Sequence, residues 1–533
     1  MKLETFFDNF ETLAEAPNAV KKLRELILQL AIQGKLVPQD EKDEPARIEI
    51  DKKRLIQKRS LSLPNISEKN DIMDLKFKIP ENWYWYRLSD VIFFQEGPGI
   101  RNWQFKSQGI KLLNVANILP NGNLFLENSD KFVSEDEFNE KYKHFLIEEG
   151  DLLFAASGGS WGKSAWFKDP GYGVMLNTST IRLRFYSDKF EPNYLKYYLD
   201  SSFFKKQMIL QLVGQQPNFG STHLSRAYIP IPPLEEQTRI IARVDQLMSL
   251  CDELEVRQQK KHESCANINS AALDRLLVAR APEGFAQGWR RISDNFDLLY
   301  DAPENVGALR QSILQLAVMG KLVVQDERDE PARVLLKSIR DQIKKSSNSI
   351  EENEILYEIP KTWEWVRLGE IFVFEYGDGL PKSKRAENEN AKFPVYGSNG
   401  IVGYHDEYLI DKPGIIVGRK GSCGALNICF EPFWATDVSY YIIPPAGINL
   451  KFAYILLKSL NLERLGKGIK PGLNRNEAYQ LVTSLPPLAE QRRIVTKVDQ
   501  LMSLCDELEA GLMRSQADSE RLMEAVVGRM LAA

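Results

Sequence analysis

The chain has 533 residues and a formal net charge of −4, with 43% hydrophobic and 27% charged residues. This length exceeds what one compact core holds, so we expect two or more domains, and the composition is that of a folded protein. The sequence has no apolar run near the roughly 18 residues of a membrane span, no apolar signal segment at its start, and five cysteines without a C-x-x-C pair. We therefore expect a cytoplasmic protein without a disulfide framework or a structural zinc site.

The first predicted element is a helix that ends near Gly34. Its apolar residues recur at the period of one helix face: Val20, Leu23, Ile27 and Leu30. Gly34 then follows at the position of a C-terminal cap.

The sequence repeats itself. Three segments occur twice: 8–47 and 294–333, 77–88 and 357–368, and 231–255 and 485–509. In the first pair 26 of 40 positions are identical, and in the third pair 19 of 25. The stretches between the second and third segments differ in length and show little similarity. We interpret this pattern as a duplicated scaffold that carries two unlike inserts, each of which contacts something different.

Each insert is predicted to mix strands and helices. Short β-rich runs lie between Gly-rich turns at Val91–Phe94, Leu152–Ala155 and Thr180–Phe185, and again at Ile371–Phe374, Ile415–Val417 and Val438–Ile443. A helical stretch closes each insert, near Tyr194–Leu212 and Phe452–Leu462. The segment from Lys412 to Arg475 holds nine Lys or Arg and three Asp or Glu, a local net charge of +6 within an acidic chain.

The third repeated segment predicts two long helices. Apolar residues alternate in steps of four and three, the a/d pattern of a coiled-coil seam, at Ile240, Val244, Leu247, Cys251 and Leu254 and again at Ile494, Val498, Leu501, Cys505 and Leu508. Each helix would run for about 40 residues, or about 60 Å. We expect the two helices to pack along this seam, with both cysteines as small apolar residues in it.

The catalytic motifs that the sequence suggests are incomplete. Ser157–Ser164 ends like a phosphate-binding loop but has Ser157 where the first glycine belongs, and Asp169-Pro170-Gly171 interrupts the helix that should follow. The same interruption disfavours a nucleophile elbow around Ser160. The four histidines lack ligand-like spacing, and no Pro-Pro pair matches the motif of amino-methyltransferases. We expect no catalysis by this chain alone.

Two motifs that occur twice identify a family. Ile-Pro-x-x-Trp-x-Trp-x-Arg-Leu opens each insert, and Pro-Pro-Leu-x-Glu-Gln-x-Arg-Ile enters each long helix. This arrangement closely resembles the DNA specificity subunit of type I restriction–modification systems over nearly the whole chain. Leu23–Arg47 resembles the branch of that family with an extra helical segment before each recognition domain.

The resemblance implies an α+β fold with a pseudo-twofold internal repeat. Two mixed α/β target recognition domains would be joined by two long antiparallel coiled-coil helices, with extra N-terminal helical segments in each half. The expected domains are a helical segment and linker at 1–76, a recognition domain at 77–234, a spacer helix at 235–283, a repeated helical segment at 284–356, a recognition domain at 357–488 and a spacer helix at 489–533.

The resemblance also implies function and partners. Each insert would read one half of an asymmetric bipartite target in double-stranded DNA, and the helices would set the gap between the halves. Two copies of a methyltransferase subunit would bind S-adenosylmethionine, and restriction subunits would use ATP and Mg²⁺. We expect no cofactor, no metal and no membrane partner for this chain itself.

Candidate DNA contacts are residues that can donate to base edges or phosphates from Gly-rich turns. In the first insert they are Arg101, Asn102, Trp103, Lys106, Ser157, Ser160, Trp161, Lys163, Gln215, Gln216, Asn218, Ser221, Thr222 and His223. In the second insert they are Lys382, Lys384, Arg385, Ser398, Asn399, Arg419, Lys420, Lys467, Lys470, Asn474 and Arg475. Backbone amides of the Ser157–Lys163 loop, together with Lys163, could hold a phosphate. The repeated tryptophans are instead expected in packing or subunit contacts: Trp83, Trp85, Trp363 and Trp365.

Two other functions stay open at this point. A coiled-coil scaffold whose inserts bind proteins would lack DNA affinity that weakens with salt. An enzyme with an unrecognised site would show turnover or cofactor binding by the isolated chain.

Overall fold

The computed structural model of the chain describes residues 18–47, 77–187, 190–212, 217–279, 282–343, 349–355, 357–387, 392–466 and 472–532. The chain divides into two compact units. The first unit contains Met1–Gln259 and Asp518–Ala533, and the second contains Lys260–Ala517.

The helices range from single turns to 45 residues. They are α1 (Ala19–Ile32), α2 (Leu88–Val91), α3 (Glu135–Glu137), α4 (Pro192–Asp200), α5 (Ser202–Ile209), α6 (Ser221–Arg226), α7 (Leu234–Val278), α8 (Pro282–Asp294), α9 (Phe296–Leu299), α10 (Pro303–Val318), α11 (Ala332–Ile343), α12 (Leu368–Ile371), α13 (Leu450–Ser459), α14 (Arg475–Tyr479) and α15 (Leu488–Ala532). A π-helical turn occupies Phe138–Tyr142, and 3₁₀ turns occupy Asn102–Gln104, Val115–Asn117, Leu126–Asn128, Lys143–Phe145, Gly158–Ser160, Glu352–Glu354, Lys382–Lys384 and Leu462–Leu465. None of the helices in the described ranges is long and apolar enough to cross a membrane.

The strands are short, with two to six residues each. They are β1 (Tyr84–Arg87), β2 (Ile92–Glu96), β3 (Ile110–Leu113), β4 (Phe132–Val133), β5 (Leu152–Ala155), β6 (Ser164–Trp166), β7 (Val174–Leu176), β8 (Thr180–Phe185), β9 (Tyr228–Ile231), β10 (Glu364–Arg367), β11 (Glu375–Tyr376), β12 (Phe393–Gly397), β13 (Gly400–His405), β14 (Gly414–Gly418), β15 (Leu426–Cys429), β16 (Trp434–Ala435), β17 (Ser439–Ile442) and β18 (Val482–Leu485).

The two units have the same sheet topology although their inserts share little sequence. The first unit has an antiparallel sheet in the order β2-β8-β5-β6, a sheet in the order β4-β3-β7 with β3 and β7 parallel, and the pair β1-β9. The second unit repeats these as β11-β17-β14-β15, β13-β12-β16 with β12 and β16 parallel, and β10-β18. Each sheet strand therefore has a counterpart in the other unit.

Most of the predicted β-rich runs are strands, and one prediction is wrong. The runs at Leu152–Ala155 and Thr180–Phe185 are β5 and β8 with the predicted bounds. Ile371–Phe374 is not a strand, because Ile371 ends α12 and the next strand, β11, begins at Glu375. The run is apolar because Phe372 and Phe374 are fully buried without being paired in a ladder.

The first helix and its cap form as the sequence predicts. Leu23 and Ile27 of α1 are fully buried, and Gly34 adopts a φ of 70° just after the helix, where Lys35 donates its amide to the Leu30 carbonyl at 2.9 Å. This is the left-handed cap geometry that glycine provides. A Cβ atom at Gly34 would lie 2.6 Å from Pro80 Cγ, so the Ile-Pro motif that opens the first insert packs directly on this turn.

The two predicted long helices are α7 and α15, each of 45 residues. In the first unit, seam residues Ile240 and Cys251 are fully buried in one core with α1 and with Met523 and Met530 of α15. In the second unit, Leu276 of α7 lies in one core with α10 and the α15 seam. Burial raises the pKa of the Cys251 thiol to about 11, as expected for an inert apolar seam residue.

The extra helix α1 contacts both long helices within its unit. Arg24 bonds Asp252 of α7 at 2.6 Å, and Lys22 bonds Glu524 of α15 at 3.0 Å. In the second unit, Arg310 of α10 likewise pairs with Asp506 of α15 at 2.7 Å, and Lys321, just after α10, donates to the Leu277 carbonyl of α7 at 2.8 Å. The extra segments are therefore part of each unit's core rather than appendages.

The two repeated motifs meet at a buried carboxylate. In the first unit, Glu236 is fully buried and accepts hydrogen bonds from Trp83 Nε1 at 2.9 Å and Gln39 Nε2 at 2.6 Å. The second unit repeats the same contacts with Trp363 at 2.8 Å and Gln325 at 2.5 Å on Glu490. Trp83 and Trp363 thus have the packing role predicted for them, joining the start of an insert to the start of a long helix.

Candidate nucleic-acid interface

The loops that carry the candidate DNA contacts begin at one end of the four-stranded sheet of the first unit. Glu96 pairs with Ile181, and Ala155 pairs with Thr180, so the ends of β2 and β5 and the start of β8 lie at the same edge. Phe154 pairs with Ser164, which brings the start of β6 there as well. An antiparallel sheet places successive turns together in this way.

The segment before α6 joins this edge. Ser157 and Asn218 form an isolated β-bridge, and Phe219 donates its amide to the Ala156 carbonyl at 2.8 Å. The Trp161 and Phe219 rings pack against each other in a tilted arrangement, with centroids 5.0 Å apart. The structure therefore brings together the predicted group at Ser157–Lys163 and the described part of the group at 215–223, namely Asn218, Ser221, Thr222 and His223. Gln215 and Gln216 lie outside the described residues.

The Ser157–Lys163 loop uses most of its polar groups internally. The amides of Gly158, Trp161, Gly162 and Lys163 donate to carbonyls of the protein at 2.9 to 3.3 Å. Lys163 Nζ donates to Ser160 Oγ at 3.1 Å. Four of the seven amides suggested as a phosphate cradle thus already donate to carbonyls of the protein, and Lys163 is engaged with Ser160.

The turn that carries Arg101–Lys106 is held by contacts away from this sheet edge, with Glu137 and Phe132. Gln104 is buried and donates to Glu137 Oε1 at 2.5 Å, while the Lys106 amide donates to the Phe132 carbonyl at 2.9 Å. Arg101 and Asn102 are exposed on this anchored 3₁₀ turn. Trp103, which follows them on this turn, is 77% exposed, an unusual exposure for tryptophan.

Sequence reasoning missed Glu96. Its Oε2 accepts a hydrogen bond from the Ser221 amide at 3.1 Å, so an acidic side chain lies among the candidate donors at the sheet edge. Glu96 is an acceptor, whereas the sequence prediction rests on donors to base edges and phosphates. The position of Glu96 at the end of a β-rich run, just before Gly97-Pro98-Gly99, could have drawn attention to it.

The second unit builds the same edge from different side chains. Tyr376 pairs with Tyr440 and Gly418 pairs with Ser439, so the ends of β11 and β14 meet the start of β17. Lys420 forms an isolated bridge with Gly472, and Leu473 donates its amide to the Arg419 carbonyl at 2.9 Å.

The centre of this second edge is a tyrosine between two arginines. The guanidinium carbons of Arg419 and Arg475 lie 4.9 and 4.6 Å from the centroid of the Tyr376 ring. Arg419 donates to the Asp437 carbonyl at 2.9 Å, and Arg475 donates to the Phe374 carbonyl at 3.2 Å. Burial raises the pKa of the neighbouring Tyr440 hydroxyl, and this effect exceeds the lowering of that pKa by both arginines. The site carries two fixed positive charges. Sequence reasoning named both arginines but not Tyr376.

The other described candidates of the second insert lie on separate turns and caps of that insert. Ser398 and Asn399 form the turn between β12 and β13, and the Ser398 carbonyl approaches Gly418 so closely that no side chain would fit there. Lys382 and Lys384 are exposed on a 3₁₀ turn. Arg385 donates its Nε to the Leu380 carbonyl at 2.9 Å and so stabilises its own turn. Asn474 caps α14 with a 2.9 Å bond to the Asn476 amide. Lys467 and Lys470 lie outside the described residues.

No group of three or more His, Cys, Asp or Glu side chains that could hold a metal ion occurs within the ranges that the structure describes. The chemistry at both sheet edges is that of hydrogen-bond donors, acceptors and aromatic rings. Such an arrangement can bind and discriminate a ligand.

Comparison with known proteins decides the family. Residues 80–263 and 360–514 match the family described as the type I restriction modification DNA specificity domain. The chain belongs to this family. Both matched segments begin at the Ile-Pro-x-x-Trp motif and extend into a long helix.

Whole-length relatives agree with this assignment. The chain is 30% identical to the type I restriction enzyme EcoAI specificity subunit of Escherichia coli, over 95% of this chain and 93% of the relative. It is 27% identical to the EcoEI specificity subunit of the same organism, over 96% and 94%. A solved structure of a type I restriction–modification system, described in terms of complex assembly and conformational transition, matches with a TM-score of 0.53 and 18% identity over 86% of this chain and 99% of that one. That structural match supports the fold alone.

Proposed function

We propose that the chain is the subunit that gives a type I restriction–modification complex its DNA sequence specificity. Each unit would read one half of an asymmetric bipartite target. The observation that carries the proposal is that two units with one topology have unlike side chains at the same sheet edge. Two copies of one scaffold with different reading surfaces suit a target made of two different half-sites.

The long helices would act as the spacer between the half-sites. Their coiled-coil seams, with α7 and α15 antiparallel and related by a pseudo-twofold repeat, would hold the gap constant, since the spacing of half-sites follows from the element that joins two readers. The buried seam residues Ile240 and Ile494 support a packing role for both helices.

The chemistry would belong to partner subunits. Two methyltransferase subunits would supply S-adenosylmethionine, and restriction subunits would supply ATP and Mg²⁺, while this cytoplasmic chain would direct them to the target without catalysing a reaction. The names of the curated relatives, which are subunits of type I restriction enzymes, support partners of this kind.

A salt titration of DNA binding by the full chain tests the proposal. Each phosphate neutralised by a lysine or arginine should contribute about −0.9 to the slope of log K against log salt concentration. Replacing exposed Lys382, Lys384 and Lys420 together with alanine should make the slope shallower by up to about 3 and weaken binding to all DNA sequences alike.

The matched control removes three exposed charges elsewhere in the same unit, Lys337, Lys361 and Arg333, and should leave the slope unchanged. If the full chain and its complex with methyltransferase subunits bind DNA without sequence preference or salt dependence, the protein-binding scaffold is the better account.

A further inference from the structure

The backbone hydrogen bonds of the two units define equivalent positions without any sequence similarity. Gly97 donates its amide to Thr180 and Gly377 donates its amide to Ser439, each just after the first sheet strand. Ala156 and Arg419 are also equivalent. Each donates its amide to the carbonyl of the residue just before the last strand of its sheet, Ser179 before β8 and Val438 before β17. Each also accepts a hydrogen bond at its own carbonyl, from the amides of Phe219 and Leu473 respectively. The equivalent positions follow in pairs: Glu96 with Tyr376, Ala156 with Arg419, and Ser221 with Arg475.

These three positions have opposite chemistry in the two units. In the first unit they hold Glu96, Ala156 and Ser221, with the carboxylate of Glu96 as the charged group. In the second unit they hold an aromatic ring flanked by two guanidinium groups. The same backbone frame thus presents a hydrogen-bond acceptor in one unit and charged donors in the other.

The two arginines of the second unit are fixed in place by neutral groups. Each is half-buried, rests on the Tyr376 ring and donates to a main-chain carbonyl, so its orientation is set before any ligand arrives. Neither of these contacts neutralises its charge. A planar guanidinium with five donors keeps further N–H groups for a ligand after one such bond.

A fixed fork suits a ligand that offers two acceptors at a set spacing, and a base edge in the major groove offers such a pair. Phosphate contacts tolerate flexible, exposed side chains, and the second insert supplies these with Lys420, next to Arg419, and with Lys382 and Lys384 on a separate turn. The edge that matches an arginine fork in the major groove is the O6 and N7 pair of guanine. The amino groups of cytosine and adenine are donors and would face the arginines with the wrong polarity, although adenine N7 is an acceptor.

We propose that Arg419 and Arg475, positioned by Tyr376, recognise a guanine in the half-site of the second unit, an inference that rests on the proposed function. Glu96 gives the equivalent place in the first unit the opposite polarity, which selects against guanine O6 and N7 there. This three-position site accordingly determines part of the difference between the two half-sites.

The test uses the full chain and its own target, obtained by mapping methylated bases. Binding is measured for DNA in which each guanine of the target is replaced in turn by 7-deazaguanine, which lacks the N7 acceptor, or by each other base. One guanine should be sensitive, with a loss of about 5- to 150-fold in the unmodified chain. Arg419→Ala and Arg475→Ala should lose a similar factor on the normal target and show no further loss with the modified base.

Tyr376 acts through the arginines, so its variants provide a separate readout. Tyr376→Leu should reduce discrimination at that same guanine, and Tyr376→Phe, which keeps the ring face, should restore it. Arg333→Ala, which removes an exposed charge on α11, is the matched control and should keep full discrimination. Thermal unfolding of each variant checks that it is folded.

Two results would overturn the inference in different ways. Equal weakening by Arg419→Ala on all sequences, with a shallower salt slope, would assign the arginine to a phosphate while the proposed function stood. An unmodified chain that shows no sequence preference, alone or with methyltransferase subunits, would remove the proposed function and this inference together.

Discussion

Arg182 is a buried charge at the centre of the first unit. It lies on β8, is 2% exposed, and approaches the fully buried Asp151 at 3.5 Å. Its guanidinium also donates to the carbonyls of Leu146 at 2.7 Å and His144 at 3.0 Å, while Arg184 forms an ion pair with the other Asp151 oxygen at 2.8 Å. Such a network fixes the loop at 144–151 against the four-stranded sheet.

We predict that Arg182→Ala lowers the free energy of unfolding by about 3 to 5 kcal/mol, because Asp151 would be left buried with one of its charge partners removed. Urea unfolding of the full chain measures this change. Lys168→Ala, which removes an exposed charge in the same insert, should have little effect. Equal unfolding midpoints for both variants would show that the pair contributes nothing to stability.

The repeated glutamates give stability a pH dependence of known sign. Burial raises the pKa of Glu236 and of Glu490, and this effect exceeds the lowering by the hydrogen bonds from Trp83 and Trp363. A carboxyl with a higher pKa in the folded state binds a proton more tightly when folded. Its stabilising contribution is therefore complete below its unfolded pKa, near 4.5, and is lost as pH rises through the folded pKa.

The double variant Glu236→Gln and Glu490→Gln should accordingly lose less stability than the unmodified chain as pH is raised above about 4.5. Denaturant midpoints measured at several pH values give the comparison. Because all other titrating groups are shared, the difference between the two curves isolates these carboxyls. Parallel curves would contradict the assignment.

At the scale of elements, the helix caps next to the Ile-Pro motif are closely packed turns that occur in both units. Gly320 follows α10 with a φ of 70°, and a Cβ atom there would lie 2.5 Å from Pro360 Cγ. The equivalent turn at Gly34 has the same conformation and the same proline contact. In both units, the proline of the Ile-Pro motif thus packs on the turn that ends the preceding helix and fixes the start of the insert against it.

Gly320→Ala should lower the free energy of unfolding by at least about 1 kcal/mol, because alanine is strained at this φ and its methyl group meets a proline ring. Gly307→Ala is the matched control within α10. Gly307 is exposed, nothing lies within 4 Å of a Cβ atom built there, and alanine should stabilise the helix by up to about 1 kcal/mol. Changes of the same sign in thermal unfolding of the two variants would argue against this account of the joint.

The elements that the sequence predicts best are those with strong periodicity. The 3.6-residue pattern of α1 and the a/d pattern of α7 and α15 fix both the type of element and its buried face. Ile371–Phe374 was misassigned because a short apolar run buries equally well as a helix turn followed by extended chain. The shared topology of the inserts could not be predicted, since it depends on pairings between distant segments whose sequences differ.

The candidate site was predictable by region and less so by residue. Gly-rich turns mark the loops at Ser157–Lys163 and around Arg419, and strand pairing brings them to one edge. The partners within that edge were not predictable. Glu96 and Tyr376 end their strands 43 or more residues from the groups they contact, and only the register of the sheet makes them neighbours.

At the scale of the whole molecule, duplication explains why the chain carries two different surfaces on one scaffold. The contacts that hold each unit together are repeated almost residue for residue, as at Glu236 and Glu490, while the sheet edges differ at each compared position. We therefore predict that substitutions at one edge change one half-site only. In methylation mapping, Arg419→Ala should relax the sequence at one side of the gap and leave the other side intact. Relaxation of both sides would contradict the independence of the two readers.

The most direct test of the central claim is long-read mapping of methylated bases in the source genome with and without this gene. The proposed function predicts that one asymmetric motif, made of two half-sites separated by a fixed gap, loses its methylation on deletion and regains it when the gene is restored. Unchanged methylation in cells that express an active methyltransferase partner would contradict the account.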